Sequence, residues 1–423
     1  MSAFEKHIYK NGLRLLTAPL KGTSAVTCLV LVGTGSRYET IQNNGVSHFL
    51  EHMFFKGGER YKNTKEVSEA IDAVGGDFNA FTSKEYTGYY VKFAKEHLEL
   101  GLDILSDMLL NATLPLEDVE RERHVIVEEI NMYEDTPMIK VEEEFEKLLL
   151  GKQPLGFDIA GPKETIQKMT REDLSKYRNS QYVPGNILVI LSGALDKAGN
   201  YEELVAKYFP FPESTPPQKY KAYNLIETPQ FVAINKATEQ AHLVLGVPAC
   251  AALSNEKYAT RLLAIILGGN MSSRLFLKVR EQQSLCYYIR SESEHYLDTG
   301  IFATKAGIDL QRVPAAVAAI KEEYLSAARQ GLTEQELAKA KEFVKGKMTL
   351  ALEDSEYLAN LLGRQELLYN DLLTPKELFT KYEAVTLKEL NELATKLFVP
   401  EKMKLAVIKP ESDNSPLEDL LKF

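Results

Sequence analysis

His48, Glu51 and His52 are the residues of this chain whose types and spacing could do the most chemistry together. They lie in Gly45-Val46-Ser47-His48-Phe49-Leu50-Glu51-His52-Met53-Phe54-Phe55-Lys56-Gly57, which reads as a short helix. Asn44 is a cap candidate, and glycines after Lys56 end the run. On a helix, positions 48, 51 and 52 are related as i, i+3 and i+4, so two imidazoles and a carboxylate share one face. Histidines four apart can hold one zinc ion. A glutamate beside them that is not a ligand can act as general base toward a water the metal activates. The plain alternative is a buried amphipathic helix with two incidental histidines. Only seven histidines occur in the chain and two fall here, and burying all three polar groups without partners would be costly. The zinc reading is preferred, provided a third ligand exists.

A charged helix expected over 116–134 offers Glu117, Glu120, Glu122, Glu128 and Glu129 as third-ligand candidates. Such a helix is usually a solvated face. Glu122 and Glu129 are seven apart and share a face, and Val125 and Ile126 between them are expected to turn it inward. Periodicity favours Glu129 over Glu128 only slightly, and both remain open on that ground.

The surrounding elements follow from the pattern of apolar residues and breakers. A hairpin is expected over 4–18 around Asn11-Gly12, then a buried strand Val26 to Val32 ended by Gly33-Thr34-Gly35. After the His48 helix come a helix from Thr64 to Val74, strands Phe78 to Ser83 and Thr87 to Phe93, and long helices over 96–111 and 116–134. Helix 163–179, strand 186–193 and helix 200–208 close the first half. Residues 209–219 hold four of the 17 prolines, a linker composition. The order of elements then restarts: strand Ala241 to Val247, helix Tyr258 to Leu267 ending at Gly268-Gly269, helix Ser272 to Glu281, and strands Leu285 to Glu292 and Gly300 to Lys305. Helices over 313–330, 333–353, 356–370 and 375–397 precede a last strand, Lys404 to Ile408. The expected fold is α+β: two related halves, each a mostly antiparallel sheet packed with helices and joined by a Pro-rich linker. The domains are expected at 1–210 and 223–423, with the linker at 211–222. The second copy of the motif helix has no His or Glu at the ligand positions, so its half does something other than metal chemistry.

With 423 residues, 44% hydrophobic and 26% charged, the composition is that of a globular protein of two to three domains. A net charge of −10 argues against a nucleic-acid binder. Cys28, Cys250 and Cys286 have neither metal nor disulfide spacing and read as buried thiols in a reducing compartment. The start goes almost directly into the hairpin, with no apolar signal or Arg/Ser-rich transit segment. No apolar run approaches the roughly 20 residues a bilayer requires. A soluble, cytoplasmic protein without a membrane partner is expected.

His48-Phe49-Leu50-Glu51-His52 followed after 76 residues by Glu129 resembles the pitrilysin/insulinase family of zinc peptidases, the inverzincins. The likeness is greatest to the branch of the mitochondrial processing peptidase β subunit and short bacterial homologues. It extends to Gly33 through Arg37, Gly75-Gly76, Asn79 through Ser83, Glu120 through Glu129, Gly268 through Phe276 and Val279-Arg280-Glu281. The resemblance implies that His48, His52 and Glu129 bind zinc, one ion per subunit. It makes Glu51 the general base and Glu122 a supporting acid, in keeping with the outer carboxylates that orient ligating imidazoles. Asn79, Ala80 and Phe81 match the edge strand on which the family lays a peptide backbone. Arg280 and Tyr287 match a pair that holds substrate and stabilises the developing oxyanion; Tyr288, one residue on, is the rival. Gln283-Ser284-Leu285-Cys286-Tyr287 stands where relatives more often read Gly-Leu-Ala-Tyr, and the lost glycine touches the loop shape and not the roles. The expected activity is zinc-dependent hydrolysis of unfolded or presequence-like peptides. Because the chain has two halves, the resemblance also implies a dimer, expected as a homodimer sharing its sites across subunits. A non-catalytic partner subunit and a metal-bound peptide-binding module are the alternatives. The cluster Glu142-Glu143-Glu144 reads as a solvated helix face.

Overall fold

Asn11-Gly12 makes the first turn of the fold. Gly12 sits at φ +91°, where a side chain would be strained, and the Asn11 side chain accepts from the Leu13 backbone N–H at 3.1 Å. The turn joins β1 (Glu5–Ile8) to β2 (Arg14–Pro19) as an antiparallel pair. A computed structural model of the chain describes residues 4–196, 199–213, 219–410 and 414–421. Part of the proline-rich linker, residues 214–218, lies outside them.

Two sheets hold the described strands. The first contains β1, β2, β3 (Ala25–Val32), β4 (Asp77–Thr82), β5 (Thr87–Ala94) and β6 (Ile187–Gly193), in the spatial order β1-β2-β6-β3-β5-β4. The second contains β7 (Phe231–Asn235), β8 (Ala241–Ala249), β9 (Cys286–His295), β10 (Gly300–Ile308) and β11 (Lys404–Lys409), in the order β7-β11-β8-β10-β9. Taken in chain order, β2 through β6 and β7 through β11 follow the same path. In each, the first and last strands pair in parallel and every other pairing is antiparallel. The sequence repeat is thus a repeat of topology, and the α+β class with two related halves is what the chain adopts.

The central strands explain how each sheet is covered. In β3, Cys28, Val30 and Val32 point into one apolar cluster and Leu29 and Leu31 into another. In β6, Ile187, Val189 and Leu191 join the first and Leu188 and Ile190 the second. A strand apolar on both faces must be covered on both. On one side the cover includes α1 (Val46–Phe54), α2 (Thr64–Asp72), α3 (Leu98–Leu110) and α4 (Leu116–Asp135). On the other it is the helix Ser355–Arg364, through Leu358, Ala359 and Leu362, with Ser355 Oγ 2.8 Å from Thr27 Oγ1. The second sheet buries one face under α5 (Pro137–Leu150): Val141, Phe145 and Leu149 meet Val244, Ile301, Ala406 and Ile408. Its other face carries the Phe302–Tyr324–Phe398 aromatic stack.

The chain accordingly divides into Met1–Ile130, Phe157–Lys221 and Met348–Lys376 as one compact unit, and Asn131–Gly156, Ala222–Lys347 and Glu377–Phe423 as the other. These units differ from the consecutive halves 1–210 and 223–423 in two segments, because each sheet takes one covering helix from the other half of the sequence. Other departures are local. The expected helix Ser272–Glu281 is a π-helix over Phe276–Gln282, and the stretch 375–397 breaks at Thr386, which caps a new helix with Glu389. Cys28 is fully buried, whereas Cys250 and Cys286 are only half-buried. Among the described residues no helix is long and apolar enough to cross a membrane.

Leu362→Ala leaves a cavity beneath β3 and β6, at an expected cost of about 2–4 kcal/mol. Hydrogen exchange should quicken in β3 and β6 and stay unchanged in β8 and β10; loosening of the second sheet instead would contradict the assignment of this helix.

Candidate metal centre

Helix α1 starts without a side-chain cap. Its N-cap is Gly45, at φ +97°, and a Cβ there would lie 2.5 Å from the Ala160 carbonyl oxygen. Glycine is required, so the orphan N–H groups need an acceptor from elsewhere. Glu39 supplies it: Oε2 accepts from Gly45 N at 2.7 Å and from the Asn44 amide at 2.8 Å, and Oε1 from Ser47 N at 2.8 Å. Asn44 is therefore not the cap the sequence suggested; its amide donates to Glu39 and to the Asp158 carbonyl. A carboxylate is well placed at the positive end of a helix. Burial pushes the Glu39 carboxyl upward in pKa, against the pull of the bonds from Asn44, Ser47 and Gly45. Behind Ser47, the Tyr177 hydroxyl links Ser47 Oγ (2.9 Å) to Thr34 Oγ1 (2.8 Å).

With the helix start fixed, Val46, Phe49, Leu50, Met53 and Phe54 are buried in the core. His48, Glu51 and His52 are left on the remaining face. Glu122 and Glu129 come up from α4, where Ile126 is fully buried. Val125 is not turned inward as expected; it is 49% exposed. Glu128 is exposed and Glu129 faces the histidines. Glu129 Oε2 lies 3.6 Å from His48 Nε2 and 3.4 Å from His52 Nε2. One ligand atom from each of the three residues falls within 4.8 Å of the others. Two imidazole nitrogens and a carboxylate oxygen at this separation form a donor set that suits zinc.

The outer groups tune these donors. His52 Nδ1 meets Glu122 Oε2 at 3.1 Å, and Lys56 Nζ meets Glu122 Oε1 at 2.5 Å. His48 Nδ1 is buried with no hydrogen-bond partner among the described residues, so only one ring is held from behind. Burial, then the charge of His52, holds His48 down at about 4. Burial also pulls on His52, but Glu122 and Glu129 outweigh it and lift the ring to about 9. The carboxylates thus stabilise positive charge at this ring, a field that favours a divalent cation as it favours a proton. Glu122 is held below the usual carboxylate range: burial opposes, and His52 and Lys56 prevail. Glu51 is raised by burial, against a 2.6 Å hydrogen bond from the Thr82 hydroxyl to its Oε2.

Asn79, Ala80 and Phe81 lie on β4, the outermost strand of the first sheet, paired only with β5. The Asn79 side chain accepts from its neighbour's backbone, Ala80 N, at 2.9 Å. Arg280 and Tyr287 belong to the second unit. Arg280 sits in the last turn of the π-helix, its guanidinium carbon 4.7 Å from the Phe276 ring centre and 5.9 Å from that of Tyr287. Tyr287 is 74% exposed, while the Tyr288 hydroxyl is engaged with His242 Nδ1 at 3.1 Å. Of the two tyrosines, Tyr287 is the one open to solvent. Glu142, Glu143 and Glu144 are ion-paired, with Lys305, Lys140 and Lys147 as partners.

Sequence reasoning missed Glu39, Lys56 and Thr82. Thr82 was detectable, since it follows Ala80 by two on a strand and so shares its face.

The chain is thus a duplicated two-sheet α+β protein with a His-His-Glu candidate metal site, and comparison with known proteins gives its family. Residues 14–163 match the family described as Insulinase (Peptidase family M16), and residues 168–344 the Peptidase M16 inactive domain. An uncharacterized zinc protease of Bacillus subtilis is 36% identical over 97% of this chain and 99% of its own length. One from Streptomyces coelicolor is 32% identical over 95% and 88%. A protease from Helicobacter pylori shares the fold at a TM-score of 0.86 and 24% identity, over 97% of this chain and all of that one. The chain belongs to peptidase family M16, the insulinase family.

Glu39→Ala would strand the Gly45 and Ser47 N–H groups in the core. The expected cost is about 3 kcal/mol, with weaker zinc retention against a competing chelator. An unchanged melting temperature and unchanged zinc affinity would show that Glu39 does not hold the helix start.

Proposed function

We propose that this protein is a zinc-dependent endopeptidase that hydrolyses peptide bonds in unfolded peptides or presequence-like segments. The observation that carries the reading is the convergence of His48, His52 and Glu129, with Glu51 one helical turn from His48 and aligned beside them. The M16 match and the zinc-protease names of the relatives support it. His48, His52 and Glu129 would hold one zinc per subunit, with Glu122 keeping the His52 ring oriented. Zinc, when bound, supplies Lewis acidity toward a carbonyl oxygen and acidifies water.

The chain's own residues do the rest. Glu51, raised in pKa by burial and steadied by Thr82, takes a proton from the attacking water and returns it to the leaving amine. The open backbone edge of β4 pairs with the substrate main chain, so affinity comes from peptide groups more than from side chains. For that pairing the Asn79 side chain must release Ala80 N. Arg280 and Tyr287 neutralise the charge that develops on the carbonyl oxygen. The net charge of −10 favours basic peptides. Because one chain carries both the His-His-Glu cluster and the Arg280–Tyr287 pair, we further propose a cytoplasmic homodimer whose sites combine residues of two subunits.

A fluorogenic peptide incubated with the zinc-loaded protein tests the activity. Cleavage should be lost with chelator and should fall at least ~1,000-fold in Glu51→Gln, a general-base and metal-activation effect. Zinc-loaded protein that binds the peptide without cutting it would instead support the peptide-binding alternative. Inactive protein that fails to bind would support the partner-subunit alternative.

Mixing Glu51→Gln with Arg280→Ala, each inactive alone, should restore part of the activity. Failure of the mixture to recover any activity would count against sites shared between subunits.

A further inference from the structure

We propose that Arg312 positions the Arg280–Tyr287 pair by clamping a strained turn at Ser284. The inference rests on the reading of that pair given above. The π-helix Phe276–Gln282, which carries Arg280, runs into β9, which carries Tyr287, through Gln283, Ser284 and Leu285. The turn folds back onto the helix: Ser284 N donates to the Arg280 carbonyl at 3.0 Å, and Leu285 N to the Val279 carbonyl at 2.9 Å. Leu285 is buried and anchors the exit. Any change of backbone angle at Ser284 therefore changes where Tyr287 stands relative to Arg280.

Ser284 occupies the left-handed region, at φ +48°. Residues with a side chain are disfavoured there, because Cβ crowds the backbone. The conformation persists only if the surroundings impose it. Arg312 imposes it. Its Nη1 donates to the Ser284 carbonyl at 2.9 Å and its Nη2 to the Gln283 carbonyl at 2.8 Å. Those two carbonyls belong to the peptide planes on either side of the Ser284 Cα. The rotations between these planes are the φ and ψ of Ser284. A planar guanidinium gripping both planes at once holds both angles, which a lysine ammonium, with no fixed fork, does not.

Arg312 is itself placed by the sheet. Cys286, at the start of β9, pairs with Ile308 at the end of β10, across a register irregularity at Gly307 and Ile308. The chain leaves β10 through a short turn, Leu310–Arg312, whose start is capped by Asp309 Oδ1 accepting from Gln311 N at 2.9 Å. The clamp thus reaches back from the end of one strand to the beginning of its neighbour. The Arg312 guanidinium bonds the Ser284 and Gln283 carbonyls and acts on Arg280 and Tyr287 through the turn.

The test compares the zinc-loaded full chain with Arg312→Ala, Arg312→Lys, and Arg312→Ala combined with Ser284→Gly. It measures kcat and KM on a fluorogenic peptide, together with hydrogen exchange of the segment 276–288. Arg312→Ala should lower kcat about tenfold with KM changed less than about twofold, since the pair acts on the transition state. It should also raise exchange at the Ser284 and Leu285 amides about tenfold. Arg312→Lys should recover only a small part of either. Ser284→Gly in the Arg312→Ala background should bring kcat back to within about twofold, because glycine adopts the left-handed turn without a clamp. Unchanged kcat and exchange in Arg312→Ala would overturn the proposal, as would a kcat that glycine does not restore. Arg280→Ala and Tyr287→Phe serve as references. If both keep full kcat, the reading of the pair fails, and the exchange data still decide whether Arg312 holds the turn.

Discussion

A strand with apolar side chains on both faces has to be covered twice, and much of this structure follows from that requirement. β3 and β6 have almost no solvent-accessible residue. Helices of the first half of the chain cover one face of their sheet, and the other is left for a helix that the chain delivers some 160 residues later, Ser355–Arg364. The second sheet meets the same requirement with α5, supplied before its own strands begin. Each buried leucine in such a layer contributes roughly 1.5–3 kcal/mol. The exchange of helices therefore anchors each unit to a segment from the opposite half of the sequence.

On that base, the candidate metal centre is an exercise in placing carboxylates where each has a counterpart. Glu39 is buried against the N-terminus of α1, Glu51 against the Thr82 hydroxyl, and Glu122 between His52 and Lys56. Glu129 faces the Nε2 atoms of both histidines. Glu129 and Glu51 are close enough that the charge of Glu129 helps to raise Glu51, so acids gathered here need counterparts. Helix dipole, hydroxyl, ammonium and imidazole each take one share. The two histidines shift in opposite directions: burial, then the charge of His52, depresses His48, while at His52 the hydrogen bonds to Glu122 and Glu129 outweigh burial and lift the ring.

The sequence made some of this plain and hid the rest for definite reasons. His48, Glu51 and His52 were legible because a helix has one geometry and fixed spacings translate into a shared face. The strands were legible because alternation and breakers are local. Assignment of covering helices was not, since an amphipathic pattern shows that a helix has an apolar face but not which sheet receives it. The Glu39 cap was hidden for a related reason. A glycine at the N-cap says only that the cap must come from elsewhere, and Glu39 lies six residues before it in sequence. Arg312 was hidden because backbone angles, not side-chain types, create the need for it.

The duplicated topology gives the placement of the chemistry a common cause. β4 and β9 hold the same position in their sheets: third in chain order among the five matching strands, and outermost in space. β4 carries Thr82 and the Asn79–Phe81 run, and β9 carries Tyr287. An outermost strand is where backbone groups remain available to another chain, and each copy places candidate residues on one. The helix that corresponds to α1 in the second copy, Glu256–Gly268, has buried Leu262, Leu263, Ile266 and Leu267 and no histidine. Arg280 lies just before the edge strand of the second copy and Tyr287 upon it.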